Sequence, residues 1–280
     1  MQKVIRGIVV CFMTAGTVWL AAQAPAPAAS PAPAQAAPAA PAAPTLTAEE
    51  VVAKYIDAIG GKDAISQVKS LSMETSAEVM GNDAPGSMIV VDGVGYRNET
   101  DFNDTKIIQA YTPKGGWQVN PMAGMSDPTP LPEDQFNAGK DQIYVGGQLY
   151  DYAARGNKIA LASSDKDTYT IKLTTKDNLE SSYVIDASTF LIRSVARKGK
   201  MQDQDVDITT TYTDYQKADG AYLIPRSIGV DFGGQFQITI AVKKVEVNKT
   251  IDPAIFDMPA SAAAPAAAPA TTAAPAAPKS

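Results

Sequence analysis

Three stretches in the second half of the chain alternate apolar and polar residues with a period of two, and that alternation limits what the chain can become. Tyr169, Ile171 and Leu173 are interleaved with Thr and Lys; Val206, Ile208, Thr210 and Tyr212 with Asp and Thr; Phe236, Ile238, Ile240 and Val242 with Gln, Thr, Ala and Lys. Successive side chains of a strand point to opposite faces, so each stretch reads as a strand with one face covered and the other in water. Short turn signals punctuate the region: Lys114-Gly115-Gly116, Asp177-Asn178, Asp186 to Ser188, Asp219-Gly220 and Gly233-Gly234. Their spacing predicts a large antiparallel meander.

Helices are expected at two places only. Thr47 and Glu50 form a capping-box pattern, and Val51, Val52, Tyr55, Ile56 and Ile59 recur at helical spacing until Gly60-Gly61 ends the run. A short second helix is predicted over residues 62–69, with Ala64, Ile65 and Val68 on one face. A helical interlude begins near Pro132, Glu133 and Asp134, and Ile143, Tyr144, Leu149 and Tyr152 supply its apolar contacts before Gly156. The fold class is α+β, predominantly antiparallel β: a long sheet that curls while the helices plug its concave face. Periodicity leaves open whether that interior is packed core or a cavity.

The ends of the chain differ from its middle. Lys3 and Arg6 precede an uncharged stretch at residues 7–20, too short to span a bilayer comfortably, followed by small residues. This pattern predicts a signal peptide at residues 1–22, cleaved after Ala22 or Ala24, and hence export to the periplasm. Cys11, the single cysteine, falls within it behind Val9 and Val10, which argues against a lipid anchor. Residues 24–44 hold 12 Ala and 7 Pro, and residues 259–280 hold 12 Ala and 5 Pro. Neither composition supplies enough apolar area to order a core, so an Ala/Pro-rich linker at 23–44 and a disordered tail at 259–280 are expected around one domain at 45–258.

What the chain lacks bounds its chemistry. With no histidine there is no Ser-His-Asp triad, no His-ligated zinc and no imidazole base. No dinucleotide or phosphate-binding loop is present, and no cofactor is expected. Asp203, Asp205 and Asp207 start like a calcium loop, but Ile208 occupies the glycine position, so a solvated, edge-protecting face is expected and no metal site. Lys140 with Tyr144, Tyr150 and Tyr152 fixes no nucleophile, and no catalytic residue is predicted. Loss of Lys3 and Arg6 takes the charge from 24 − 30 = −6 to 22 − 30 = −8. An acidic chain whose one tight basic group runs from Arg193 to Lys200 is a poor partner for nucleic acid.

Five segments carry a family resemblance: AEEVVAKYIDAIGGKDAISQVKSL at 48–71, Gly115-Gly116-Trp117 with Asn120-Pro121, YVIDASTFLIR at 183–193, DYQKADGAYLIPRSI at 214–228 and VEVNKTIDPAIFDMP at 245–259. In this order they resemble the LolA-like family of outer-membrane lipoprotein-sorting proteins, across essentially the whole domain. The resemblance implies an unclosed half β-barrel of LolA/LppX-like form, with helices as a lid over an apolar cavity. It also implies a periplasmic carrier that shields the acyl chain of a lipoprotein or a lipid. In such carriers an early-strand arginine followed by proline latches the lid; the nearest candidate is Arg97, followed here by Asn98.

Flexible thioethers suit a lining that repacks around variable tails, which makes Met73, Met80, Met88, Met122 and Met125 candidate ligand-binding residues; the same methionines also read as ordinary core filler. Trp117 adds a broad apolar face, or caps a hairpin by packing across strands. Residues 122–131, with Gly124, Pro128 and Pro130, are a candidate rim loop, mobile or rigid. The expected function is carriage of a hydrophobic ligand without catalysis. The alternative is a structural or stress-sensing envelope protein that uses the same fold to bind another protein.

Overall fold

At the start of the domain the Thr47 hydroxyl accepts the Glu50 N–H at 3.2 Å, and the Glu50 carboxylate accepts the Thr47 N–H at 2.8 Å. This reciprocal cap opens helix α1 (Ala48–Ala58), whose Val51, Val52, Tyr55 and Ile56 are buried. Gly60 and Gly61, at φ 125° and 82°, turn the chain where a side chain would be strained, and α2 (Gly61–Gln67) follows. The computed structural model describes residues 46–79, 81–201, 204–220 and 222–259. The predicted signal peptide, linker and nearly all of the tail lie outside the described residues, as do Met80 and Asp203.

Among the described residues thirteen antiparallel strands form a single sheet: β1 (Ser70–Val79), β2 (Asn82–Val91), β3 (Gly95–Phe102), β4 (Thr105–Thr112), β5 (Gly115–Asn120), β6 (Met125–Pro130), β7 (Lys158–Ser164), β8 (Thr168–Thr174), β9 (Glu180–Asp186), β10 (Ile192–Met201), β11 (Gln204–Asp219), β12 (Tyr222–Phe232) and β13 (Gln237–Val247). Their spatial order, β6-β5-β4-β3-β2-β1-β13-β12-β11-β10-β9-β8-β7, shows two meanders rather than one. Strands β1 to β6 run outward from the middle and β7 to β13 run back to it, joined where β1 pairs with β13. The two ends of the sheet, β6 and β7, are connected by residues 131–157, which hold α3 (Glu133–Gly139) and a 3-10 turn at Lys140–Ile143.

Local chemistry accounts for where the strands begin and end. Every predicted turn signal falls between or at the ends of consecutive strands, and Gly233 and Gly234 take the positive φ that the β12–β13 hairpin requires. Residues 122–131 are largely not a loop: after a 3-10 turn at Pro121–Ala123 they form β6, and Pro128 and Pro130 are tolerated because β6 is an edge. Strand β11, by contrast, is flanked by β10 and β12, so its aspartates protect no edge. Asp207 and Asp205 point outward and pair with Lys198 at 2.6 Å and Lys200 at 3.6 Å.

One face of the sheet is covered by the helices. Leu71 and Met73 of β1, Val90 of β2, Tyr96 of β3, Tyr111 of β4, Tyr183 and Ile185 of β9, and Ile171 and Leu173 of β8 form one cluster with Val51, Ile56, Ile59 and Ile65 of the helical hairpin. Ile143, Val145 and Leu149 of the crossover complete it. Fully burying each such aliphatic side chain contributes roughly 1.5–3 kcal/mol. Strands of both wings, β2 to β4 and β8 to β9, thus enter one cluster. The sheet therefore curls until its two wings face one another.

Candidate functional site

The crossover at residues 131–157 lies over the concave face as a lid, and backbone hydrogen bonding fixes its middle. Val145 donates its N–H to the Asp92 carboxylate at 3.0 Å, and its carbonyl accepts the Tyr222 hydroxyl at 2.7 Å. The Ile143 carbonyl accepts the Gly93 N–H at 2.9 Å, from a turn residue at φ 69°. Gln148 accepts the Tyr183 hydroxyl at 2.6 Å, and Lys140 pairs with Asp177 at 2.5 Å. One wing thus supplies Asp92 and Gly93 while the other supplies Tyr183 and Tyr222, so this latch spans the fold. Burial keeps the Tyr222 and Tyr183 phenols protonated far above their ordinary range, which preserves them as donors.

Beyond the lid the concave face is only half covered. Register places Met73, Met88, Asn98, Gln109, Gln118 and Thr129 in one cross-strand row on that face, from β1 to β6. All but Met73 are half-exposed. On the opposite wall Tyr212 pairs with Ile228, Ile228 with Ile240, and Val230 with Ile238; these five are half-exposed as well. The result is a trough with an aliphatic wall on β11–β13, and a methionine and amide wall on β2–β6. Two clefts elsewhere, of about 510 Å³ beside Glu133, Asp134, Asn137, Asp177 and Leu179 and about 380 Å³ between α1 and α2, do not share this lining.

Arg197 lies on the concave face of β10. It shares a face of β10 with Val195, whose partner across the ladder is the buried Tyr183. Lys198 and Lys200 point the other way. Beside it α3 packs on β10, and Phe136 of α3 stacks on Tyr111 at 6.4 Å between centroids. Gly139 allows that approach, since a Cβ there would lie 2.3 Å from the Tyr111 hydroxyl. Burial pushes Tyr111 up to about 12 against the opposing pull of Arg197.

The residues singled out by sequence divide between the two faces. Met73 is buried in the core and Met88 lines the trough. Met125 is half-exposed at the β5–β6 edge, where its sulfur lies 3.5 Å from Gln118 Nε2, and Met122 is 65 % exposed on the rim. Arg97 and Trp117 occupy the opposite, convex face: Arg97 is opposite Ala110, which is opposite Trp117, in the register that alternates with Tyr96 and Tyr111. There the 3-10 turn Pro253–Phe256 covers them, with Trp117 Nε1 donating to the Phe256 carbonyl at 2.8 Å and Arg97 to the Ile255 carbonyl at 3.0 Å. Arg97 also pairs with Glu99 at 3.0 Å and lies over the Trp117 ring at 5.3 Å. It touches no residue of the lid; Asp92, Gly93 and Tyr222 hold the lid instead. Lys140, Tyr144, Tyr150 and Tyr152 are not drawn into one group, as Lys140 engages Asp177 and Asn137 while Tyr144 lies under Arg155.

Among the described residues no helix is long and apolar enough to cross a membrane, and no cluster of acidic or thiol side chains is arranged to hold a metal ion. No family model and no curated relative matches the sequence. Similarity emerges from the fold. A LolA superfamily protein from Nitrosomonas europaea superposes with a TM-score of 0.51 at 13% identity, over 76% of this chain and 98% of that one. A domain from Vibrio parahaemolyticus, described as an outer membrane lipoprotein-sorting protein, gives 0.48 at 9% identity over 75% and 97%. The thirteen-stranded open sheet, curled around helices that span its concave face, therefore has the LolA-like fold.

Proposed function

We propose that this protein is a periplasmic carrier that binds the acyl chain of a lipid or lipidated protein along the trough, with the crossover as its lid, and performs no catalysis. The observation that carries the reading is the half-exposed apolar wall of Ile228, Val230, Ile238 and Ile240 on the same concave face as Met88. Water-exposed aliphatic surface inside a concavity is costly unless a guest covers it. Transfer of an alkyl chain contributes about 0.8 kcal/mol per buried methylene. About ten methylenes therefore give a gross ~8 kcal/mol, the scale of a micromolar complex before the cost of association. The similarity in fold to a LolA superfamily protein supports the same reading, as does the leader expected from the sequence.

The test is native mass spectrometry with lipid extraction on protein purified from its own envelope without detergent. Acyl-bearing ligand at near-stoichiometric level is expected, and substitution of Ile228 and Ile240 by Asn lowers its occupancy severalfold. Ligand-free protein that co-purifies with a fixed protein partner would overturn the carrier reading in favour of an envelope regulator.

A further inference from the structure

Arg197 is the one described arginine without a hydrogen-bonding or ion-pairing partner. Arg97 bonds Glu99 and the Ile255 carbonyl, Arg155 the Gly147 carbonyl, Arg193 Asp186, and Arg226 the Lys217 carbonyl. It is also half-buried and on the concave face, whereas the neighbouring Lys198 and Lys200 are on the outer face and satisfied by Asp207 and Asp205. A guanidinium removed in part from water with its five donors unused is unfavourable, and nothing in the packing of the wall requires it. Its ladder partners, Ser181 on β9 and Ile208 on β11, are neutral. Asp141, the acid that acts on nearby Tyr183, is engaged by Gln148 at 3.1 Å and forms no ion pair with Arg197.

Two phenols of the same concave face have donors to spare. Tyr183 and Tyr222 give their hydroxyl protons to Gln148 and Val145, but among the described residues Tyr111 and Tyr212 donate to no protein atom. Both feel the Arg197 charge, from opposite wings of the sheet. An unpaired cation on a half-exposed apolar concave face is a recognition pattern for an anionic head joined to an alkyl tail.

We propose that the guest of the trough carries a carboxylate or phosphate head, and that Arg197 holds that head while the tail lies against Met88, Ile228 and Ile240. This rests on the carrier reading and adds to it a class of ligand. Planar guanidinium matches either anion with two parallel hydrogen bonds, which a point charge cannot reproduce.

The experiment measures binding of palmitate, hexadecyl phosphate, hexadecanol and inorganic phosphate to the full chain and to its Arg197→Gln and Arg197→Lys variants, by calorimetry. The wild type is expected to prefer both anionic amphiphiles to hexadecanol by on the order of tenfold or more, the factor one charge-assisted contact supplies. Arg197→Gln abolishes that preference while leaving hexadecanol affinity within about twofold, and Arg197→Lys restores part of it. Equal binding of palmitate and hexadecanol to wild type and variant would overturn the inference and leave the carrier reading standing. Tight binding of inorganic phosphate that the tail does not strengthen would also overturn it, by making the site one for free anions. If no amphiphile binds to protein with native circular dichroism, the carrier reading fails and this inference with it.

Discussion

Tyr222→Phe removes one oxygen from the lid latch and should loosen the crossover without disturbing the strands beneath. The lost hydroxyl is buried and donates to the Val145 carbonyl at 2.7 Å, so the substitution leaves a buried acceptor unsatisfied. That costs about 1–3 kcal/mol. For a domain of this size each kcal/mol lowers the melting temperature by roughly 2–4 °C, so a fall of roughly 2–12 °C is expected in thermal circular dichroism. Asp92→Ala acts on the same residue through its other peptide unit, since Asp92 accepts the Val145 N–H at 3.0 Å. A hydrogen bond to a charged group contributes about 1.5–3 kcal/mol. Because both bonds hold one residue, the double variant should lose less than the sum, with a coupling of roughly 0.5–3 kcal/mol. Amide exchange supplies the local readout: the Val145 N–H, now unpaired in Asp92→Ala, exchanges faster, while β8 and β9 stay protected. A Tyr222→Phe protein with an unchanged melting temperature and unchanged exchange over residues 143–147 would refute the latch.

Two further outcomes follow from contacts elsewhere in the domain. Gly95→Ala places a methyl 2.4 Å from the Phe256 ring, which displaces the C-terminal turn from the convex face at a cost of about 1–3 kcal/mol and shifts Trp117 emission to the red as its Nε1 contact with Phe256 is lost. At alkaline pH the domain should unfold as its tyrosines ionise: burial, the leading cause, raises the phenols of Tyr55, Tyr96, Tyr183 and Tyr222 well above their ordinary value in the folded chain. These phenols are equally protonated in the folded and unfolded chains below about pH 10, so their contribution to stability is fully present there and declines as pH rises beyond it. Tyrosinate absorbance and loss of near-ultraviolet dichroism should then appear together, and early ionisation of these tyrosines in a still folded protein would contradict their burial.

Elements governed by their own neighbours were legible in the sequence. The Thr47 cap, the stop at Gly60-Gly61 and the hairpin turns are settled within a few residues, and each is found where its local chemistry puts it. Facing relations were not. The pairing of Trp117 with Ala110 could place it on either side of the sheet, and the choice is made by Phe256, 139 positions later. Residues 122–131 look irregular because of their prolines, yet an edge strand needs only one hydrogen-bonding side. Arg197 was hidden inside a basic run that reads as solvated. Its signal was parity: Arg197 shares a face with Val195, while Lys198 and Lys200 share the other. Asp92 and Tyr222 carried no signal, since their role depends on the backbone of Val145 arriving from a different part of the chain.

The junction between the two meanders has a consequence for how the molecule is made. Leu71 pairs with Val247 and Met73 with Val245, so the first strand waits for the last before its second side is satisfied. During synthesis the early wing persists with β1 as a bare hydrogen-bonding template, open to any extended segment that reaches it first. Once β13 zips against β1, that opportunity ends, and the moment of danger for this chain is the interval between the emergence of residue 79 and that of residue 247.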